Sequence, residues 1–137
     1  MNDSELIREA VKARECAYAP YSGYKVGAAL LSEDGCIYRG CNVENASYGL
    51  SNCAERTAVF KGISEGASSF VAIAIVGAKT EDAPDYAYPC GACRQILNEF
   101  CEPDKFQVIV AKTETDYQKY TLTDLLPNGF GPRNLQP

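Results

Sequence analysis

The chain has 137 residues, 46% hydrophobic and 23% charged, with 18 acidic against 13 basic residues and a formal net charge of −5. That composition excludes a disordered chain, and the acidic balance leaves no basic surface to replace the counterions of a nucleic acid. A single domain is expected over 1–137, long enough to bury roughly two-thirds of the surface its unfolded chain exposes.

From the amino end, Leu6, Ala10, Ala13 and Ala17 recur at helical spacing after Asp3 and Ser4, which predicts an amphipathic helix over 4–18. The opening stretch MNDSELIREA is acidic and carries no apolar signal core, so a cytoplasmic location is the expectation. Pro and Gly in AYAPYSGY (17–24) end the helix, and KVGAALLSEDGCIYRGCNV (25–43) reads as a hairpin turning at Asp34-Gly35. CAERTAVFKGISEG (53–66) is a helix closed by Gly66. FVAIAIVGA (70–78) is a strand buried on both faces, and this longest apolar run falls far short of the ~20 residues that span a bilayer. CGACRQILNEF (90–100) is a helix with Cys93, Ile96, Leu97 and Phe100 on one stripe. FQVIVAK (106–112) is another buried strand, TLTDLLP (121–127) a short helix stopped by Pro127, and Gly131–Pro137 a flexible tail. The order α-β-β-α-β-α-β predicts an α/β sandwich with a mixed sheet.

Seven cysteines with no secretion signal argue for reduced thiols rather than a disulfide framework. The absence of histidine means that a transition-metal site must be built from thiolates and carboxylates, which points to zinc or iron–sulfur. Taken alone, Cys90-x-x-Cys93 could be a redox pair, half of a structural zinc knot or part of a catalytic metal site. Strand 36–42 leads to the helix starting near Cys53, and strand 70–78 to the helix starting near Cys90. If these strands are parallel neighbours, both helices start at one carboxyl edge and Cys53, Cys90 and Cys93 meet there, where helix N-termini favour thiolate over thiol. Cys16, Cys36, Cys41 and Cys101 have no close-pair spacing and read as buried core thiols. Three protein ligands with a position left for water is the catalytic arrangement of zinc. Glu55 is then either a first-turn glutamate favoured by the helix dipole or a proton carrier beside the metal.

CAE (53–55) followed by PCGAC (89–93) resembles the signature of the zinc-dependent nucleoside and nucleobase deaminases. Together with PYSGYKVGAAL (20–30), GCNVENASYG (40–49) and LLPNGF (125–130), it makes the chain similar to the small, all-cysteine, homotetrameric cytidine deaminases over roughly residues 20–130. The resemblance implies a three-layer α/β/α sandwich with a mixed five-stranded sheet and one zinc ion per chain on Cys53, Cys90 and Cys93. It implies Glu55 as the acid/base, hydrogen bonds from Asn42 and Glu44 to the ribose, and the Ala54 backbone on the pyrimidine. An aromatic ring near the base is implied at Tyr24, where relatives commonly carry Phe. Tyr48 and Phe130 are implied to reach a neighbouring subunit's site. The expected reaction replaces the C4 amine of cytidine or 2′-deoxycytidine with oxygen, a step of pyrimidine salvage, with a small nucleoside and no membrane or nucleic acid as partner. Three thiolates and one zinc ion sum to a charge of −1, so Arg56, beside Glu55, is expected to donate to the sulfurs and draw charge off the metal. A thioredoxin-like redox enzyme would need only the Cys90–Cys93 pair, and a noncatalytic zinc module would leave Glu55 idle. Neither uses Asn42-x-Glu44, which also speaks against a blasticidin-type deaminase.

Overall fold

A computed structural model describes residues 1–136; Pro137 lies outside the described residues. The first helix, α1 (Asp3–Arg14), is capped by Asn2, whose side-chain oxygen accepts the Glu5 N–H at 2.8 Å, one residue ahead of the expected Asp3/Ser4 cap. It also ends four residues before the expected 18. The Arg14 guanidinium donates to the carbonyls of Lys25 at 2.8 Å and Ala78 at 3.0 Å, and by Tyr18 the backbone is bridged to Val43.

Strands β1 (Tyr24–Ser32) and β2 (Ile37–Cys41) form the expected hairpin, with Gly35 at φ +92° supplying the left-handed turn residue. Helix α2 (Ala54–Ser64), strand β3 (Phe70–Lys79), helix α3 (Gly91–Phe100) and strand β4 (Gln107–Ala111) follow near their predicted places. Strand β5 (Tyr117–Thr121) then leads directly into the short helix α4 (Leu122–Leu125), which Thr121 and Asp124 close with reciprocal cap bonds. The periodicity of the sequence does not reveal β5. YQKYT is an edge strand with neither face fully covered, so it lacks both the alternation and the continuous apolar run that mark strands.

The five strands are ordered β2-β1-β3-β4-β5, antiparallel except for the parallel β3–β4 pair. Alternation along the central strands separates two cores. Ala29, Ala74, Val76, Ile109 and Ala111 face α1 through Leu6, Ile7 and Ala10, while Ala28, Leu30, Ile73, Ile75, Val108 and Val110 face α2, α3 and α4. This is the three-layer sandwich with a mixed sheet.

Strands β2 and β3 are not neighbours, contrary to the expectation, because β1 lies between them. Since β1 is antiparallel to both, β2 and β3 still run the same way and deliver α2 and α3 to the same sheet edge. Helix α2 comes unusually close to β2. A Cβ on Gly40 would stand 2.4 Å from both the Ala54 carbonyl oxygen and the Ala58 nitrogen. Gly40→Ala is therefore expected to push the first turn of α2 away from the sheet and destabilise the protein by ~1–3 kcal/mol, read as a lower urea midpoint.

The segment expected as a tail carries a 3₁₀ turn over Pro132–Asn134, and Gly131 before it is buried. Three of the four remaining cysteines depart from the core-thiol expectation, whereas Cys101 packs against the core. Cys16 and Cys36 are exposed, and Cys41 and Cys101 only partly buried. Cys16 falls beyond the shortened α1 and Cys36 in the hairpin turn, where no layer covers them.

Candidate active site

Cys53 and Cys90 are the N-cap residues of α2 and α3, and Cys93 lies in the first turn of α3. The approach to each is fixed locally. Asn52 and Val43 exchange both backbone hydrogen bonds at 2.9 Å, which sets the chain entering Cys53. Arg94 donates from Nε to the Pro89 carbonyl at 2.8 Å and from Nη1 to the Leu125 carbonyl at 2.7 Å, which ties the segment before Cys90 to α4.

The three sulfurs lie within 4.8 Å of one another, with Cys53–Cys90 at 3.8 Å and Cys90–Cys93 at 3.5 Å. Tetrahedral zinc with Zn–S bonds of about 2.3 Å places its sulfurs about 3.8 Å apart, so the spacing and the soft donor set both fit that ion. No other group of His, Cys, Asp or Glu among the described residues is arranged to hold a metal. The remaining cysteines supply no fourth ligand.

Charge is focused here. Arg56 Nη2 donates to Cys53 Sγ at 3.2 Å, and its Nε is buried without a partner among the described residues. Arg56 is thus a half-buried residue turned to the sulfurs and not a solvent-exposed helical arginine. The Cys53 thiol is pulled down to about 5, first by the hydrogen bond from Cys93 and then by Arg56, against the effect of burial. Cys93 is pushed up by the same bond and by its burial. Glu55, at 5% exposure, is pushed up to about 7 because burial penalises its charged form.

A cavity of about 340 Å³ opens beside these groups, lined among others by Cys53, Ala54, Glu55 and Cys90 and by Tyr24, Asn42 and Glu44. Asn42 and Glu44 both carry structural duties. The Asn42 amide accepts from Val26 N–H at 2.9 Å and donates to the Tyr24 carbonyl at 2.7 Å, leaving one N–H and one lone pair free. Glu44 accepts the N–H groups of Tyr21 at 3.0 Å and Ser22 at 3.1 Å, as well as the Ser22 hydroxyl. These bonds, the hydroxyl first, hold its carboxyl below the usual range.

Phe130 does not line the cavity of its own chain and is 58% exposed. Tyr48 is 74% exposed on a 3₁₀ turn over Tyr48–Leu50. Sequence reasoning missed Ser22, Asn52, Tyr86 and Tyr88 as cavity residues. Tyr88 is fixed by hydroxyl contacts with Tyr120 at 3.1 Å and Gln118 at 3.2 Å, partners on the strand that periodicity failed to reveal.

A mixed sheet that gathers three thiols at two helix starts, with a buried carboxylate beside them, defines a zinc-dependent hydrolase site. A family model described as "Cytidine and deoxycytidylate deaminase zinc-binding region" matches residues 1–110. The chain is 52% identical over 130 residues to a cytidine deaminase of Halalkalibacterium halodurans, covering 95% of each chain. It is 48% identical over 135 residues to one of Sporosarcina psychrophila, covering 98% of this chain and 96% of that one. The crystal structure of cytidine deaminase from Burkholderia pseudomallei superposes with a TM-score of 0.86 at 48% identity, covering 95% of this chain and 100% of that one. That of Mycobacterium tuberculosis does so at 0.81 and 37% identity, covering 96% and 98%. The chain belongs to the zinc-dependent cytidine and deoxycytidylate deaminase family. Its cofactor is zinc, one ion per chain.

Proposed function

We infer that this protein hydrolyses cytidine and 2′-deoxycytidine to uridine and 2′-deoxyuridine with release of ammonia. The observation that carries this reading is the buried Glu55 carboxylate opening, together with Cys53 and Cys90, on one nucleoside-sized cavity. In this reading Cys53, Cys90 and Cys93 hold the zinc ion. Zinc in such a site supplies Lewis-acid activation of water near neutral pH. Glu55 takes a proton from the attacking water and delivers it to N3 of the ring, then takes the remaining hydroxyl proton of the added water and passes it to the departing amine. Water and cytidine thereby become uridine and ammonia.

The other residues position the substrate. The free N–H and lone pair of Asn42 and the remaining acceptor capacity of Glu44 serve the ribose hydroxyls, and the Ala54 backbone serves the pyrimidine edge. Tyr24 stands at the cavity wall as an aromatic face for the base. Its hydroxyl is a polar addition to a position that suits a plain ring. Phe130 and Tyr48, both exposed, reach the cavity of a neighbouring subunit in a homotetramer. The setting is pyrimidine salvage in the cytoplasm. No helix of the described residues is long and apolar enough to cross a membrane.

The deciding experiment follows the ultraviolet absorbance of cytidine with purified, zinc-loaded protein. Turnover is expected; zinc bound without turnover would sink the reading. Because the cavity is built to bind sugar hydroxyls, kcat/KM for cytidine should exceed that for free cytosine by on the order of 10²-fold or more. Comparable values would overturn the roles given to Asn42 and Glu44. Arg56→Gln should keep one zinc per chain and lower kcat by roughly tenfold, because the guanidinium at Cys53 Sγ no longer draws charge off the thiolates. An unchanged kcat with an unchanged pH profile would show that Arg56 serves only the fold.

A further inference from the structure

The segment that carries Phe130 is moulded onto α3. The Phe130 carbonyl accepts two side-chain amide N–H groups from that helix, Gln95 Nε2 at 2.7 Å and Asn98 Nδ2 at 3.0 Å. Asn98 is 6% exposed, one of the few polar side chains in the interior. Its amide is enclosed by the glycines on either side of Phe130: a Cβ on Gly129 would stand 3.3 Å from Nδ2, and one on Gly131 only 2.7 Å. Gly131 is held in turn, its N–H donating to Asn134 Oδ1 at 2.9 Å.

A buried primary amide costs free energy unless its hydrogens are used, and here one of them fixes a single carbonyl. With that carbonyl held by two donors and the flanking backbone closed around Asn98, the backbone from which the Phe130 ring projects is fixed on α3. Phe130 is 58% exposed and does not line the cavity of its own chain. Neither Asn98 nor Gln95 lines the cavity of its own subunit.

The geometry points to Asn98, assisted by Gln95, as the positioning residue that aims Phe130 at the substrate cavity of a neighbouring copy. This rests on the reading of Phe130 given above. It means that Asn98 acts on a site of which its own subunit is not the owner, so a defect here appears next door.

The test uses Asn98→Asp, which keeps the side-chain shape but turns an acceptor toward the Phe130 carbonyl, and Gln95→Ala at an exposed position that the fold tolerates. Asn98→Asp should raise KM for cytidine about tenfold and Gln95→Ala by a smaller factor, with kcat within about twofold and zinc unchanged at one per chain. Each variant is then co-expressed with Glu55→Gln chains carrying a second tag, and the mixed oligomers are isolated through both tags. The Glu55→Gln chains contribute little turnover but lend an intact Phe130, so KM should return toward the wild-type value. A KM as high in the hybrids as in the variant alone would place the defect inside the variant's own subunit and overturn the proposal, as would an unchanged KM in both variants. Phe130→Ala in the same format separates the two levels. If it is rescued and Asn98→Asp is not, only the role of Asn98 falls; if Phe130→Ala is not rescued, the across-subunit reading falls with it. Should Asn98→Asp fail to fold, Gln95→Ala makes the same decision.

Discussion

Replacing Glu55 by glutamine should lower kcat on cytidine by about 10²–10⁴-fold while leaving one zinc ion per chain. The substitution preserves shape and hydrogen-bonding capacity, and it removes only the ability to take and return a proton. The position suits this test because Glu55 is 5% exposed in the first turn of α2, so no bulk water can stand in efficiently for the lost carboxylate. Glutamine should also fold at least as well. Burying a carboxylate among thiols is unfavourable, as the upward displacement of its pKa to about 7 records, and a neutral amide carries no such burden. Activity and stability are therefore expected to move in opposite directions. A variant that lost zinc or unfolded along with its activity would show Glu55 to be a structural residue. One that kept even a tenth of wild-type kcat would remove it from the proton path.

Cys93→Ala should abolish zinc binding, and with it detectable turnover. Cys93 is fully buried in the first turn of α3, and its sulfur completes a triangle in which Cys90 lies 3.5 Å from Cys93 and 3.8 Å from Cys53. Deleting it leaves two thiols and no nearby substitute among the described residues. The same logic predicts that a strong chelator lowers the melting temperature of the wild-type protein and leaves that of Cys93→Ala unchanged. A ion bound only by the folded state stabilises that state by mass action, and the variant has none to lose. Stoichiometric zinc in Cys93→Ala by metal analysis would show that the ligand set is drawn wrongly.

The electrostatics explain why such a cluster persists in a chain of net charge −5. Two helix N-termini and the Arg56 guanidinium converge on the sulfurs, so the local field opposes the sign of the whole protein. The close fit of α2 on β2 at Gly40 serves the same end. It fixes the first turn of α2, and hence Cys53, Glu55 and Arg56 together, against the sheet.

Much of this architecture was legible in the chain itself. The apolar runs of β3 and β4 mark strands covered on both faces, and the ends of α1 and α2 follow from their capping and turn residues to within a few positions. The absence of histidine confines any transition-metal site to thiolates and carboxylates, and the cysteine spacing marks the thiolates among them. Those properties are local: a period, a cap or a donor type is carried by residues near one another in sequence.

The tertiary structure decided what depends on distant partners. It placed β1 between β2 and β3, so that the shared sheet edge arises from two antiparallel pairings rather than one parallel one. It supplied β5, whose polar residues pair only because β4 is there, and it turned Cys16 and Cys36 outward because no layer reaches them. It also joined Asn98 to Phe130 across 32 positions. No sequence period encodes such contacts, because the free energy that forms them comes from surfaces brought together only once the layers have packed.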